Sequence, residues 1–221
     1  MSLKSGKKYS YIIFDLDGTL LDTLEDLMDA TNHVMVSFGW PEHSYAEIRS
    51  FVGNGIERLM RLSVPAGTEE ETFAKAFSAF KEYYTAHCLV KTRLYDGIGE
   101  LLRTLKARNI PMAIVSNKNQ EAVTELYHIF FEDSVIAAVG QAAGRPKKPA
   151  PESTWLAMEK IGAEKEYTLY VGDSEVDKAT ADNAGLDCVL VSWGFRDKDV
   201  IETLKPVAVI DRPEELLRWV K

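Results

Sequence analysis

Only two cysteines, Cys88 and Cys188, occur in the 221 residues. Two are too few for a disulfide framework, and their separation excludes a C-x-x-C pair, so a reduced, cytoplasmic setting is expected. No apolar run approaches the roughly 18 residues of a membrane-spanning helix. The first ten residues carry three lysines, but only the short stretch Tyr11-Ile12-Ile13-Phe14 follows them, too brief for a secretory core. There is no basic excess: the formal charge is −8 and the pI about 5.1. Neither nucleic acid nor an anionic membrane is therefore expected as a partner, because nothing is left over to neutralise phosphates. Several catalytic signatures are missing as well, namely G-x-S-x-G, G-x-x-x-x-G-K-[ST] and H-E-x-x-H. His33, His43, His87 and His128 show no metal-ligand spacing and read as packing residues. Gly53-Asn54-Gly55 begins like a dinucleotide fingerprint, but Arg58 stands at the third glycine position and no strand precedes it.

What is present is an ordinary globular composition, 46% hydrophobic and 27% charged, which excludes disorder and low complexity. Tyr9 to Phe14 is a short β-branched and aromatic run that breaks into Asp15-Leu16-Asp17-Gly18-Thr19, the pattern of a buried parallel strand entering a loop. From Thr23 the pattern turns helical. Leu24, Leu27, Val34 and Phe38 recur at helical spacing behind a capping-type Thr23, and Gly39-Trp40-Pro41 ends the run. Two further helical patterns cover Ile56–Leu62 and about 69–87. Phe73, Phe77, Phe80 and Tyr84 within the second read as helix core.

After Asp96-Gly97, helices alternate with apolar strands at Met112–Val115, Val135–Val139, Thr168–Val171, Cys188–Val191 and Val207–Ile210, with a terminal helix after Pro213. Such alternation predicts an α/β fold, a doubly wound parallel sheet. The expected organisation is a core of residues 1–22 and 91–221 interrupted by an all-helical insert at 23–90.

Strand residues i and i+2 share a side, so Asp15 and Asp17 can aim two carboxylates into one pocket at a strand's C-terminal end, where open α/β sheets bind ligands. Two close carboxylates repel unless they share a cation, which points to a hard divalent ion, most simply Mg²⁺. Gly18 and Thr19 can add backbone N–H groups for an anion. The same short pattern also suits a turn with solvated acids. Val171-Gly172-Asp173 repeats the arrangement, with Asp177 one turn into the next helix, although capping by Asp173 or Ser174 would account for it. A third apolar strand ends in Ser116-Asn117, and Arg145 to Pro151 forms a proline-stiffened basic loop containing Lys147 and Lys148.

In this order, the four segments resemble the motifs of the haloacid dehalogenase-like phosphohydrolase superfamily. Asp15-x-Asp17-Gly18-Thr19 is similar to its first motif, Ser116 to its second, Lys148 before Pro149-x-Pro151 to its third, and Gly172-Asp173-x-x-x-Asp177 to its fourth. The likeness covers essentially the whole chain, including a helical cap after the first motif.

The resemblance implies that Asp15 is a nucleophile and that Asp17 protonates the leaving alcohol and later deprotonates water. It implies Mg²⁺ on Asp15, the Asp17 carbonyl and Asp173, supported by Asp177. Ser116, the Asn117 backbone and Lys148 would neutralise the phosphoryl oxygens, with Lys147 the rival lysine. An acid at position 17 marks the phosphatases of the superfamily rather than its dehalogenases. In the insert, Val52-Gly53-Asn54-Gly55 resembles the cap loop of phosphoglycolate phosphatases and makes Gly53, Asn54 and Gly55 candidate substrate contacts, although a flexible inter-helix turn explains them equally well. Arg49 or Arg58 could meet a substrate carboxylate.

The expected partner is thus a small-molecule phosphate ester, best 2-phosphoglycolate, acted on by a monomer or homodimer. The alternatives are a β-phosphoglucomutase-like phosphotransferase or a pyrophosphatase on the same core, and a non-catalytic binding module. The acidic balance does not oppose a phosphate substrate. Residues 23–90 hold ten acids against five basic residues, and a cation plus Lys148 would reverse the field within the pocket.

Overall fold

A computed structural model describes residues 7–221. In chain order its elements are β1 (Tyr11–Phe14), β2 (Leu21–Asp22), α1 (Leu24–Ser37), α2 (Tyr45–Phe51), α3 (Ile56–Ser63), α4 (Glu70–His87) and β3 (Arg93–Leu94). There follow α5 (Ile98–Ala107), β4 (Met112–Asn119), α6 (Gln120–Phe130), β5 (Ala137–Gln141), α7 (Glu152–Lys160), β6 (Thr168–Gly172), α8 (Glu175–Ala184), β7 (Asp187–Val191), α9 (Lys198–Thr203) and β8 (Ala208–Ile210). The chain divides into two compact units, one of residues up to Leu20 together with Leu94–Lys221, the other of Leu21–Arg93.

The first unit is an α/β domain built on a six-stranded sheet in the order β5-β4-β1-β6-β7-β8, with every pairing parallel. Apolar β-branched and aromatic strands buried on both faces are what a parallel sheet requires. The register runs Ala137↔Ala113↔Ile13↔Tyr170↔Cys188, one row across five strands. Most of that row joins Ala157 and Met158 of α7 and Ala181 and Ala184 of α8 in one buried cluster. From β1 the chain proceeds to β4 on one side, and from β6 to β7 on the other, so the strand order reverses at β1 and β6. Ligand sites of open α/β sheets form at such a reversal, outside the carboxyl ends of the strands.

Several boundaries differ from the sequence expectation. β4 continues to Asn119, with a register shift against β5 between Val115 and Asn119. β5 begins at Ala137 rather than Val135. The segment after Pro213 is a 3-10 helix, Pro213–Arg218, not an α-helix.

The second unit is helical apart from β2 and β3. α1 packs on α4, placing Leu24, Leu27, Ala30 and Val34 in the same core as Phe73, Ala76, Phe80 and Tyr84, each set at 3–4 residue spacing. α2 was not anticipated. It is started by a capping box in which the Ser44 amide donates to Glu47 Oε2 at 2.8 Å while the Glu47 amide donates to Ser44 Oγ at 3.4 Å. Thr23, by contrast, precedes α1 but makes no capping bond; its hydroxyl is buried without a hydrogen-bond partner among the described residues. Of the histidines, His33 stacks on Tyr83 with ring centroids 3.9 Å apart and His43 Nε2 lies 2.7 Å from the Ser63 carbonyl oxygen, both packing roles. Among the described residues no helix is long and apolar enough to cross a membrane.

Candidate active site

Asp15 is the first residue beyond β1, and its amide donates to the Val171 carbonyl of β6 at 2.8 Å, which ties the first acidic segment to the strand that delivers the second. Two residues after Ile13, Asp15 lies on the face of the sheet shared by Ile13 and Tyr170. Asp173 follows β6 directly and Asp177 sits in the first turn of α8. One oxygen from each of Asp15, Asp173 and Asp177 can be chosen so that all three lie within 4.8 Å of one another, and all three residues are buried.

Lys148 reaches this trio from the loop between β5 and α7. Its ammonium lies 2.6 Å from Asp15 Oδ1 and 2.8 Å from Asp177 Oδ1, and the residue is 5% exposed. Lys147 points to solvent. Asn117 acts on the lysine from behind: its Oδ1 accepts the Lys148 amide at 2.8 Å and its Nδ2 donates to the Lys148 carbonyl at 3.2 Å. The Asn117 side chain therefore fixes the lysine loop, a part the sequence did not suggest.

Asp177 serves two masters. Its Oδ1 takes Lys148, and its Oδ2 accepts the Ser174 hydroxyl at 2.7 Å and the Asp173 and Ser174 amides at 3.2 Å each. Ser174 is thus the N-cap of α8, as its sequence allowed, and it shares a capping box with Asp177.

Close approach explains two glycines. A Cβ on Gly172 would lie 2.3 Å from Asp177 Cβ and Cγ, and one on Gly18 would lie 2.5 Å from Asp173 Oδ2. Gly18 also holds φ +86°, which a side chain would strain. The loop after β7 closes the far side, where the Phe195 amide donates to Asp173 Oδ2 at 2.7 Å and Trp193 Nε1 to the Thr19 carbonyl at 3.1 Å. Thr19 does not offer a free amide, since that N–H closes a turn onto the Leu16 carbonyl at 3.3 Å. Its hydroxyl is buried without a partner among the described residues.

Asp17 stands apart from the trio. Its Oδ1 receives Lys118 Nζ at 2.9 Å and its Oδ2 the Ser116 hydroxyl at 3.4 Å, while the Ser116 hydroxyl accepts the Lys118 amide at 3.0 Å. Two participants escaped the sequence reading. Lys118 lies beyond Val115, where the apolar run that marks the strand ends, although β4 continues to Asn119. Tyr170, whose hydroxyl lies 3.3 Å from both Lys148 Nζ and Asp177 Oδ1, looked like core alone. Nothing in the residue order marks it, because the register that sets it beside Ile13 belongs to the folded sheet. Gly53, Asn54 and Gly55 lie in the helical unit, in the loop from α2 to α3, with φ +115° at Gly53 and +82° at Gly55.

The electrostatics follow from crowding. Burial first, then the Asp177 carboxylate, push Asp15 from 3.8 to about 7 against the pull of Lys148. Burial, Asp177 and Asp15 likewise raise Asp173 well above the carboxylate range. Burial would raise Asp177 too, but the Lys148 charge and its hydrogen bonds hold it below its ordinary value. Burial opposes the Lys148 ammonium, yet Asp15 and Asp177 keep it charged, well above an ordinary lysine. Two acids driven towards protonation mean more negative charge than the cluster's own cation neutralises. An all-oxygen donor set with surplus negative charge fits a hard divalent cation.

The family model for haloacid dehalogenase-like hydrolases matches residues 12–191, a span holding every residue of this cluster. The chain belongs to that family. Among curated proteins it is 32% identical over 213 residues to phosphoglycolate phosphatase 1 of Pseudomonas aeruginosa, covering 93% of this chain and 78% of that one. It is also 32% identical to a phosphoglycolate phosphatase of Nitrosococcus oceani, covering 93% of each. Among solved structures, a predicted phosphoglycolate phosphatase from Haemophilus somnus superposes with a TM-score of 0.88 at 27% identity, covering 97% of this chain and 99% of that one. In this haloacid dehalogenase-like hydrolase the acids stand at the C-terminal ends of β1 and β6, where the strand order of the parallel sheet reverses.

Proposed function

We propose that the protein is a Mg²⁺-dependent phosphatase that hydrolyses a small phosphomonoester, 2-phosphoglycolate, through a phosphoryl group carried on Asp15. One observation supports this reading most: a buried carboxylate at the end of the central strand, 2.6 Å from a buried ammonium and grouped with two further acids. The choice of substrate is supported by the named phosphoglycolate phosphatases at about 30% identity over most of the chain.

An Asp15 oxygen forms the bond to phosphorus as the bond to the leaving oxygen breaks. Asp17 delivers a proton to that oxygen, so the alcohol departs neutral. A water oxygen then attacks phosphorus while the Asp17 carboxylate takes its proton, and the Asp15–phosphorus link breaks to release orthophosphate. Lys148, the Ser116 hydroxyl and the Asn117 amide neutralise the transferring oxygens. Asp15, Asp173 and the Asp17 carbonyl would hold Mg²⁺, with Asp177 supporting them, and the ion would supply positive charge to the phosphoryl group. The substrate contacts given to Gly53, Asn54 and Gly55, and the role of the helical unit as a specificity cap, are part of this proposal and rest on the sequence resemblance.

A panel of about fifty phosphorylated metabolites, each assayed with and without Mg²⁺, tests the reading as a ratio of kcat/KM values. The expected result is metal-dependent release of phosphate, fastest from 2-phosphoglycolate. Fast turnover of a sugar phosphate or pyrophosphate beside a silent phosphoglycolate would overturn the substrate. Phosphoryl return to a sugar instead of release would overturn the hydrolase.

A further inference from the structure

β4 does not stop where its apolar run stops. Beyond Val115 its register against β5 shifts, and such an irregularity re-aims side chains. Ser116 and Lys118, two residues apart on this irregular end, both turn to Asp17: Lys118 Nζ is 2.9 Å from Oδ1 and the Ser116 hydroxyl 3.4 Å from Oδ2. The Lys118 side chain is 7% exposed. Burying an ammonium is costly unless it is paired, and the pairing recorded for this one is an acid that stands outside the Asp15–Asp173–Asp177 group.

An aspartate at a strand end has several staggered rotamers open to it. Lys148 lies within the same site and would attract a loose carboxylate. A second lysine, bonded to Asp17 Oδ1, opposes that competition.

We propose that Lys118 is a positioning residue that holds the Asp17 carboxyl in the one orientation competent for proton transfer, which rests on Asp17 being the proton donor and acceptor of the phosphatase reading. Lys118 occupies Oδ1, so Oδ2 is the oxygen that gives its proton to the departing alkoxide. The carboxylate left behind stays paired with the ammonium and stays aimed, ready to take the proton of the attacking water. No other bond changes at Asp17.

Leaving-group chemistry separates this role from a structural one. An alkoxide needs a proton to depart, whereas 4-nitrophenolate leaves without one. First turnovers with enzyme in excess over 2-phosphoglycolate or 4-nitrophenyl phosphate read the bond-breaking step alone, by rapid quench for glycolate and by absorbance for nitrophenolate. Lys118→Met should slow glycolate release about tenfold to a hundredfold at saturation, the range of one proton-transfer contribution. The concentration giving half the maximal rate, and nitrophenolate release, should move less than about threefold, and Lys118→Arg should restore most of the loss by keeping the charge.

Equal losses on both esters, or a weaker half-saturation with an unchanged maximum, would overturn the proposal. Asp17→Asn, run in parallel, must show the same ester selectivity. If it does while Lys118→Met does not, the lysine assignment fails and the phosphatase reading stands. If wild type cleaves neither ester, the reading itself fails. Should Lys118→Met not fold, by circular dichroism and thermal melting, Lys118→Gln and Lys118→Arg carry the same comparison.

Discussion

Asp26 in the helical unit and Asp15 in the sheet unit are both buried carboxylates, 3% and 7% exposed, yet their surroundings are opposite in kind. Asp26 is met by backbone: the Lys91 amide donates to its two oxygens at 3.0 and 3.1 Å, and the Thr92 amide to one of them at 2.8 Å. Those donors are fixed by the fold, and the acid in turn pins the end of the unit to its first helix. Asp15 is met by a lysine side chain and crowded by two other acids. Fixed amides make a carboxylate a structural fastener, whereas like charges around a single side-chain cation leave it short of compensation, as the proposed nucleophile requires. Burial alone distinguishes nothing; the identity of the donors does.

The largest effect that tests this contrast is on rate. Asp15→Asn should lower phosphate release by at least about a thousandfold, since the proposed nucleophile has no substitute, with little loss of thermal stability because one of three crowded acids is neutralised. Activity retained within tenfold would erase the distinction from the Asp15 side. The same variant carries a pH signature. Without metal, folded Asp15 titrates near 7 instead of 3.8, so the folded state binds the extra proton and wild type should lose stability relative to Asp15→Asn as pH rises from about 4 to about 7. Denaturant midpoints of both proteins across that window, with a chelator present, provide the check; a difference that is flat or rises with pH contradicts it.

From the other side, Asp26→Ala leaves the buried Thr92 amide and the partly buried Lys91 amide without their acceptor and should cost about 2–4 kcal/mol of unfolding free energy in urea. A cost under about 0.5 kcal/mol would mean those amides find water as readily as Asp26. Cation binding sharpens the contrast further: saturating Mg²⁺ at about 100 times its dissociation constant should stabilise wild type by about 2.7 kcal/mol. The increment should persist in Asp26→Ala and shrink in Asp15→Asn, as read by melting with and without the ion. Smallest is the exposed Ser44 cap, where Ser44→Ala should cost about 1 kcal/mol. A melting temperature unmoved within experimental scatter would show that α2 is held by packing alone.

Much of this was readable from residue order. The apolar runs ending in Asp15 and Asp173 announced buried strands, and hydrophobic spacing announced α1 and α4, because both signals depend only on near neighbours. The start of α2 was also readable, since Ser44 and Glu47 stand at capping-box spacing; seven residues with one buried apolar side chain, Ile48, made too faint a period to prompt it. Thr23 shows the reverse error, a residue of capping type whose hydroxyl caps nothing.

Local order determined the chemistry offered at each strand end: which acids, which hydroxyl, which lysine. It could not determine who meets whom. Lys148 and Asp15 are 133 positions apart, and Lys118 and Asp17 are 101 apart. That choice between two lysines was made by the register of parallel strands, the shift at the end of β4 and the grip of Asn117 on the lysine loop. Pairings of that range are set by packing that only the closed sheet provides, and they decide which buried carboxylate is a fastener and which is reactive.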